Sequence, residues 1–213
     1  EEVAESLDYG MVGTVYHETM RSLYTSEEAM AEDFFFDLRD GTGNDHLHVI
    51  KEVTRDYIRS WLDRKDEIRR KVKALIVREL NLVEVSGRNL VVTDVILQYV
   101  LKTLQRDLEL LEQENVGSFE VLGREIRVAG EFCGQRFKGF IDRLDSFHPG
   151  HARDVDYKTG KVLEDDENIT DDNAEAIADA IFAKDVKDRP KIALQFFMYD
   201  LLVQGHPLVR GKD

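Results

Sequence analysis

The chain has a single cysteine, Cys133, among its 213 residues. A lone cysteine excludes an internal disulfide framework and any zinc or iron–sulfur site built on several cysteines, and it fits a reducing cytoplasm. No run of about 18 apolar residues exists, so no transmembrane helix is expected. The chain begins Glu1-Glu2, without an initiator methionine, a basic n-region or an apolar h-region. That start carries no signal peptide and suggests a piece of something longer. Positive charge is in deficit, with a formal net charge of −14. Such a balance excludes a general nucleic-acid coat, which needs clustered Lys and Arg to release counterions. It does not exclude acidic residues that serve as metal ligands or lie on a face away from a substrate. No G-x4-G-K-[ST] phosphate loop is present, so an ATP-driven motor is not part of this sequence. The acidic stretch Glu164-Asp165-Asp166-Glu167 and Asp171-Asp172 lacks the glycine and terminal glutamate of a calcium loop, and it reads as a solvated loop.

What remains is an ordinary composition, 42% hydrophobic and 34% charged, long enough for one large domain or a domain with an insertion. Gly13, Tyr16, His17, Met20 and Tyr24 recur on one face of a helix. Taken by itself, an inward histidine is first a hydrogen-bonded core residue and only second a ligand. Phe34-Phe35-Phe36 precedes a Gly41-Thr42-Gly43-Asn44 turn cluster, and His46-x-His48 diverges on a helix and reads as surface. Residues 47–82 carry helical stripes, first Ile50, Val53, Tyr57, Trp61 and Leu62, then Ile68, Val72, Leu75, Ile76 and Leu80. Arg64, Lys65, Arg69, Arg70, Lys71, Lys73 and Arg78 concentrate positive charge there. They are either a solvated face with partners such as Asp66–Arg70 and Glu67–Lys71, or a track for phosphates. A further helix is expected over 92–113.

Period-two strands are expected over 121–128, 136–147 and 153–158, the last two flanking a Pro149-Gly150 turn. Helices follow over 174–182 and 191–204, with Gln195, Tyr199 and Leu202 on one face. Phe140, Asp142 and Leu144 share a strand face, and Asp156 and Lys158 share another across Tyr157. An unpaired carboxylate on an apolar face costs several kcal/mol, so a cation, proton or basic partner belongs beside Asp142. Two aspartates with a lysine two residues beyond the second suit a hard divalent cation at a phosphodiester, with the lysine beside the developing charge.

The ordered set G139-F140-I141-D142-R143, then D156-Y157-K158-T159-G160, resembles the PD-(D/E)xK nuclease superfamily. With Gly13-x3-His17 upstream and Gln195-x3-Tyr199 downstream, it is similar to the RecB-type exonuclease domain of RecB and AddB helicase–nucleases. The resemblance implies an α/β, restriction-endonuclease-like core with a mixed central sheet flanked by helices. Residues 1–26 and 116–213 would form that core in a single nuclease domain, with 27–115 as a helical insertion. It implies a Mg²⁺- or Mn²⁺-dependent DNA exonuclease acting on single-stranded ends in recombinational repair. A helicase domain or subunit is its implied partner, and the alternative is a non-catalytic module that binds DNA or assembles a subunit. His17, Asp142, Asp156 and the Tyr157 carbonyl would hold the metal, Lys158 would be the catalytic lysine, and Glu125 would assist or simply face solvent. Gln195, Tyr199 and Arg143 would meet the substrate, Arg143 also pairing with a neighbour such as Asp145. Some relatives carry a four-cysteine iron–sulfur cluster, for which this chain has no ligand set. A last strand would begin near Pro207.

Overall fold

The computed structural model describes residues 7–25, 52–160, 168–183, 189–204 and 209. Helix α1, Tyr9–Leu23, starts where the Asp8 side chain accepts a hydrogen bond from the Met11 N–H, satisfying one of the free donors of a first turn. Its expected inward face is inward, with Val15, Tyr16, Met20 and Leu23 buried. Strand β1, Glu52–Thr54, leads directly into α2, Arg55–Asp63, then α3, Lys65–Glu79, and α4, Arg88–Gln113. The helical reading of 47–82 is corrected at β1. Val53 pairs with Phe119 and is fully buried, while Thr54 caps α2 by accepting from the Tyr57 N–H. The β-branched Val53-Thr54 pair falls on the helical stripe by spacing, but a long-range partner holds it extended. Helix α4 begins ahead of the expected 92, after Gly87 at φ +54. The Phe34 triplet, the Gly41–Asn44 turn, His46, His48, Ile50, Glu164–Glu167 and the strand near Pro207 lie outside the described residues.

Strands β2, Ser118–Phe132, β3, Gln135–Ser146, and β4, Arg153–Val155, complete a four-stranded sheet in the order β1-β2-β3-β4, with every described pairing antiparallel. The expected α/β class is thus present. Cys133 and Gly134, both at positive φ, close the β2–β3 hairpin in two residues, the backbone a twisted ribbon favours. Beyond residue 128 the ribbon continues as an exposed arm. β4 is shorter than the expected 153–158. The Tyr157 N–H donates to the Asp142 carboxylate instead of to a strand, which takes residues 156–158 out of the ladder. Helices α5, Ala174–Phe182, and α6, Lys191–Val203, fall where the sequence places them.

One hydrophobic cluster joins α1 to α4 with Val53, Phe119, Val121 and Tyr157. A second seats Val203, with Tyr199 and Leu202 against it, on Leu122, Ile126, Val128, Ile141 and Leu144. Gly139 permits this contact, since a Cβ there would overlap the Tyr199 ring. Among the described residues no helix is long and apolar enough to cross a membrane.

A buried ionic network ties the layers together. The Arg143 side chain, 1% exposed, donates to both Asp107 oxygens at 2.7 and 2.8 Å, to Asp145 at 3.0 Å and to the Tyr157 hydroxyl at 3.2 Å. Tyr24 donates to Asp107 at 2.5 Å, and Arg153 donates twice to Asp145 at 2.8 and 2.9 Å. Two arginines against two aspartates leave the network near neutrality, the condition under which buried ions are tolerated. Burial would lower the Arg143 pKa, but Asp107, the two tyrosines and Asp145 hold it charged. Asp107→Ala is expected to lower the unfolding free energy by roughly 3–5 kcal/mol, because it strands part of a buried guanidinium; urea denaturation measures it.

Candidate active site

Asp142 leaves the middle of β3 at 9% exposure. Its carboxylate takes the Tyr157 N–H at 2.7 Å on one oxygen and faces His17 Nδ1 at 3.4 Å with the other. The His17 Nε2 is 2.7 Å from the Tyr157 carbonyl. A carbonyl only accepts, so Nε2 carries the proton and Nδ1 is turned toward the carboxylate. Burial alone would push the His17 pKa down, but the Asp142 hydrogen bond and charge, the Tyr157 carbonyl and Glu125 outweigh it and leave it raised.

Glu125 is the third member. Arg124 pairs with Arg143 and Ile126 with Ile141, so Glu125 stands across the ladder from Asp142. A register shift between Val121 and Gly123 lies just upstream, and Glu125 itself has φ +47. A non-glycine residue there costs about 1–3 kcal/mol and persists where surroundings impose it. Alternation breaks at this point, and adjacent Asp142 and Arg143 both turn to Tyr157. Phe140 is therefore solvent-exposed and Leu144 joins the cluster under α6, which corrects the single apolar face expected for Phe140, Asp142 and Leu144.

His17, Glu125 and Asp142 each offer a ligand atom within 4.8 Å of the others. One imidazole nitrogen and two carboxylates form a hard, oxygen-rich donor set suited to a divalent cation. The electrostatics agree. Burial, then the Asp142 charge, raise the Glu125 pKa to about 7, so the opposed carboxylates resist sharing this space without a proton or cation.

Asp156 and Lys158 form a second group. The Lys158 ammonium lies 2.5 Å from Asp156 Oδ2 and donates to Gln195 Oε1 at 3.2 Å. The Gln195 amide in turn donates to Asp156 Oδ1 at 2.7 Å. Asp156 thus faces Lys158 and Gln195, and Tyr157 is the link between the groups. The Tyr157 carbonyl is engaged by His17, and Tyr199 packs on Gly139. Arg143 pairs with Asp145 as expected, but it is sealed inside the protein with no surface for substrate. A cleft of about 650 Å³ lies beside Lys158 and Asp156, with Lys102, Arg106 and Phe196 among its walls.

Asp107, which holds Arg143 and accepts from Tyr24, is absent from the residues the sequence singles out, whereas Tyr24 stands on the inward face expected of the first helix. The signal was present for Asp107, which stands three residues after Leu104 and four before Leu111, on the buried stripe of α4.

The whole arrangement is that of a nuclease fold, with paired acids on adjacent strands and a D-x-K whose lysine is held by a glutamine from a later helix. The chain matches the PD-(D/E)XK nuclease superfamily over residues 1–211 and belongs to it. No curated protein and no solved structure matches it.

Glu125 has a testable pH signature. An acid whose folded pKa lies above its ordinary 4.5 must take up a proton on folding between pH 4.5 and about 7, so stability falls as pH rises through that window. Glu125→Gln removes the penalty. In the presence of a chelator, urea denaturation is expected to show the variant more stable than the parent by about 3 kcal/mol at pH 8, the gain shrinking toward pH 4.5.

Proposed function

We propose that this chain hydrolyses phosphodiester bonds of DNA with Mg²⁺ or Mn²⁺ held by His17 Nδ1, Glu125 and Asp142. The observation that carries the reading is the convergence of these three ligand atoms from α1, β2 and β3, with His17 and Asp142 both bound to the backbone of Tyr157, the residue between Asp156 and Lys158. A divalent cation in such a site polarises the phosphate and lowers the pKa of a bound water.

The chain's own residues have separable tasks. Asp142 meets the Tyr157 N–H and His17 at once, which fixes the imidazole edge that would meet a cation. Lys158, at 33% side-chain exposure, reaches solvent with its ammonium, and the positive charge stabilises the anion that builds on the phosphate oxygens. Gln195 limits where that ammonium can go, its oxygen taking Lys158 and its nitrogen tethering Asp156. Asp156, which the family resemblance assigns to the metal, is engaged here by Lys158 and Gln195.

The finer reading is a single-strand exonuclease domain of a RecB/AddB-type helicase–nuclease, cytoplasmic and engaged in recombinational repair. The order Gly13-x3-His17, G-F-I-D-R, D-Y-K-T-G and Gln195-x3-Tyr199 supports it, as does the meeting of the last motif with the D-x-K lysine. Its single domain comprises a core of 1–26 and 116–213 with the insertion 27–115.

Linear DNA incubated with the full chain and Mn²⁺ or Mg²⁺ is expected to be degraded, and a chelator to stop it. Asp142→Asn and Lys158→Ala should each slow degradation by roughly 10²-fold or more, with melting curves confirming that both fold. An unaltered chain that leaves DNA intact with either metal sinks the reading.

A further inference from the structure

The exposed arm formed by β2 and β3 has two chemically different faces. Beyond the ligand pair Glu125–Asp142, register places Arg127 beside Phe140, Ala129 beside Lys138 and Glu131 beside Arg136. The break in alternation lies on the inner side of Asp142; outward of it Ile141, Ile126 and Val128 all join the cluster under α6, so these pairs, on the opposite face, continue the side that carries the two carboxylates. The other face presents Ile126, Val128, Gly130, Gln135, Phe137, Gly139 and Ile141. It has no charged residue, and α6 packs on it through Tyr199 at Gly139 and Leu202 at Gly130. All three cations of the arm therefore stand on the face that begins at the site.

Arg127, Arg136 and Lys138 are exposed, and among the described residues none takes part in an ion pair. Glu131 opposes Arg136 in register and offsets part of its charge, which leaves Arg127 and Lys138 as the uncompensated pair. Phe140 stands across from Arg127 and, along β3, between Asp142 and Lys138; it is 44% exposed, a large ring that the fold leaves facing water. The row from Asp142 to Arg136 spans about 20 Å at strand spacing. On a chain of net charge −14, an aligned cationic row that starts at a candidate phosphodiester site is complementary to a polyanion and to little else. The basic helix α3 is a weaker track, since Arg64 pairs with Glu67 and lies over the Trp61 ring, Arg69 pairs with Asp94 and Arg78 with Glu79.

We infer that this face of the arm is the track along which single-stranded DNA is led to the site, Arg127 and Lys138 meeting phosphates and Phe140 stacking on a base. The inference rests on the nuclease reading for what happens at the end of the track, but not for binding. A single strand is the ligand because only an unpaired base can leave its stack to lie on the ring, whereas a duplex offers its phosphates alone.

The test is fluorescence anisotropy of a labelled oligo(dT) with the full chain in a chelator, titrated at several salt concentrations. Arg127→Ala/Lys138→Ala is expected to weaken binding at least tenfold and to reduce the salt slope by about 1.4, two phosphates at about 0.7 each. Phe140→Ala should weaken binding roughly tenfold with the slope unchanged, and a blunt duplex of equal length should compete poorly. Arg70→Ala/Lys73→Ala on α3 should have little effect. The inference is overturned if the unaltered chain does not bind oligo(dT) at low salt, if the arm variants bind as the parent does, if the α3 pair takes the whole loss, or if duplex binds equally through the same residues. Hydrolysis of bis(p-nitrophenyl) phosphate by the unaltered chain with Mn²⁺ reports on the nuclease reading separately, since that small diester is too short to reach the arm. Bound oligonucleotide without ester hydrolysis removes the chemistry and leaves the track, and ester hydrolysis without arm-dependent binding removes the track.

Discussion

Tyr157 is held at three points, two of them on β3 and one on α1. Its N–H donates to Asp142 of β3, its carbonyl accepts from His17 of α1, and its hydroxyl accepts from Arg143 of β3, which is itself gripped by Asp107 of α4. Without the first bond, residues 156–158 would continue as a strand and alternate across the sheet. With it, Asp156 and Lys158 are brought beside α6, and His17 and Asp142 are drawn to the same peptide. The two halves of the site thus share one anchored residue, and the buried Arg143–Asp107–Asp145 network holds that residue through its hydroxyl.

The site is assembled against local preference. Two carboxylates stand opposite each other in a ladder, where like charges repel, and one of them sits at a backbone angle that side chains avoid. These costs fall on the residues that would hold a cation, and the compensation lies elsewhere, in the cluster of α1 to α4 against β1 and β2. The helical layer packs on β2 through Phe119 and Val121, and the Arg143–Asp107 pair ties β3 to α4. The break in alternation at Glu125 and Asp142 follows from the same constraint, and it also sets which face of the outer arm is continuous with the site.

Much of this was legible one residue at a time. The stripe of α1 pointed His17 inward, the strand pattern located β2 and β3, and the D-x-K spacing picked out Asp156 and Lys158, because periodicity and motif order are local properties of the chain. Val53 is not legible as a strand residue, since β-branched residues fit a helical stripe by spacing and only Phe119, far along the chain, makes them a strand. The role of Arg143 was half legible. Its pairing with Asp145 is a two-residue relation within β3, whereas its burial depends on Asp107 from a helix whose approach no local pattern reports.

The sequence by itself determined the elements and the residue types that chemistry would need: a histidine on a helix, acids on adjacent strands, a lysine beyond them and a glutamine on a late helix. Only the tertiary structure decided the grouping, which sets Glu125 with His17 and Asp142 and leaves Asp156 paired with Lys158 and Gln195. The reason is physical. Which atoms converge depends on a register shift, one left-handed residue and a hydrogen bond from a backbone amide to a carboxylate fifteen positions away, and each of these is settled by packing between segments that sequence patterns treat as separate.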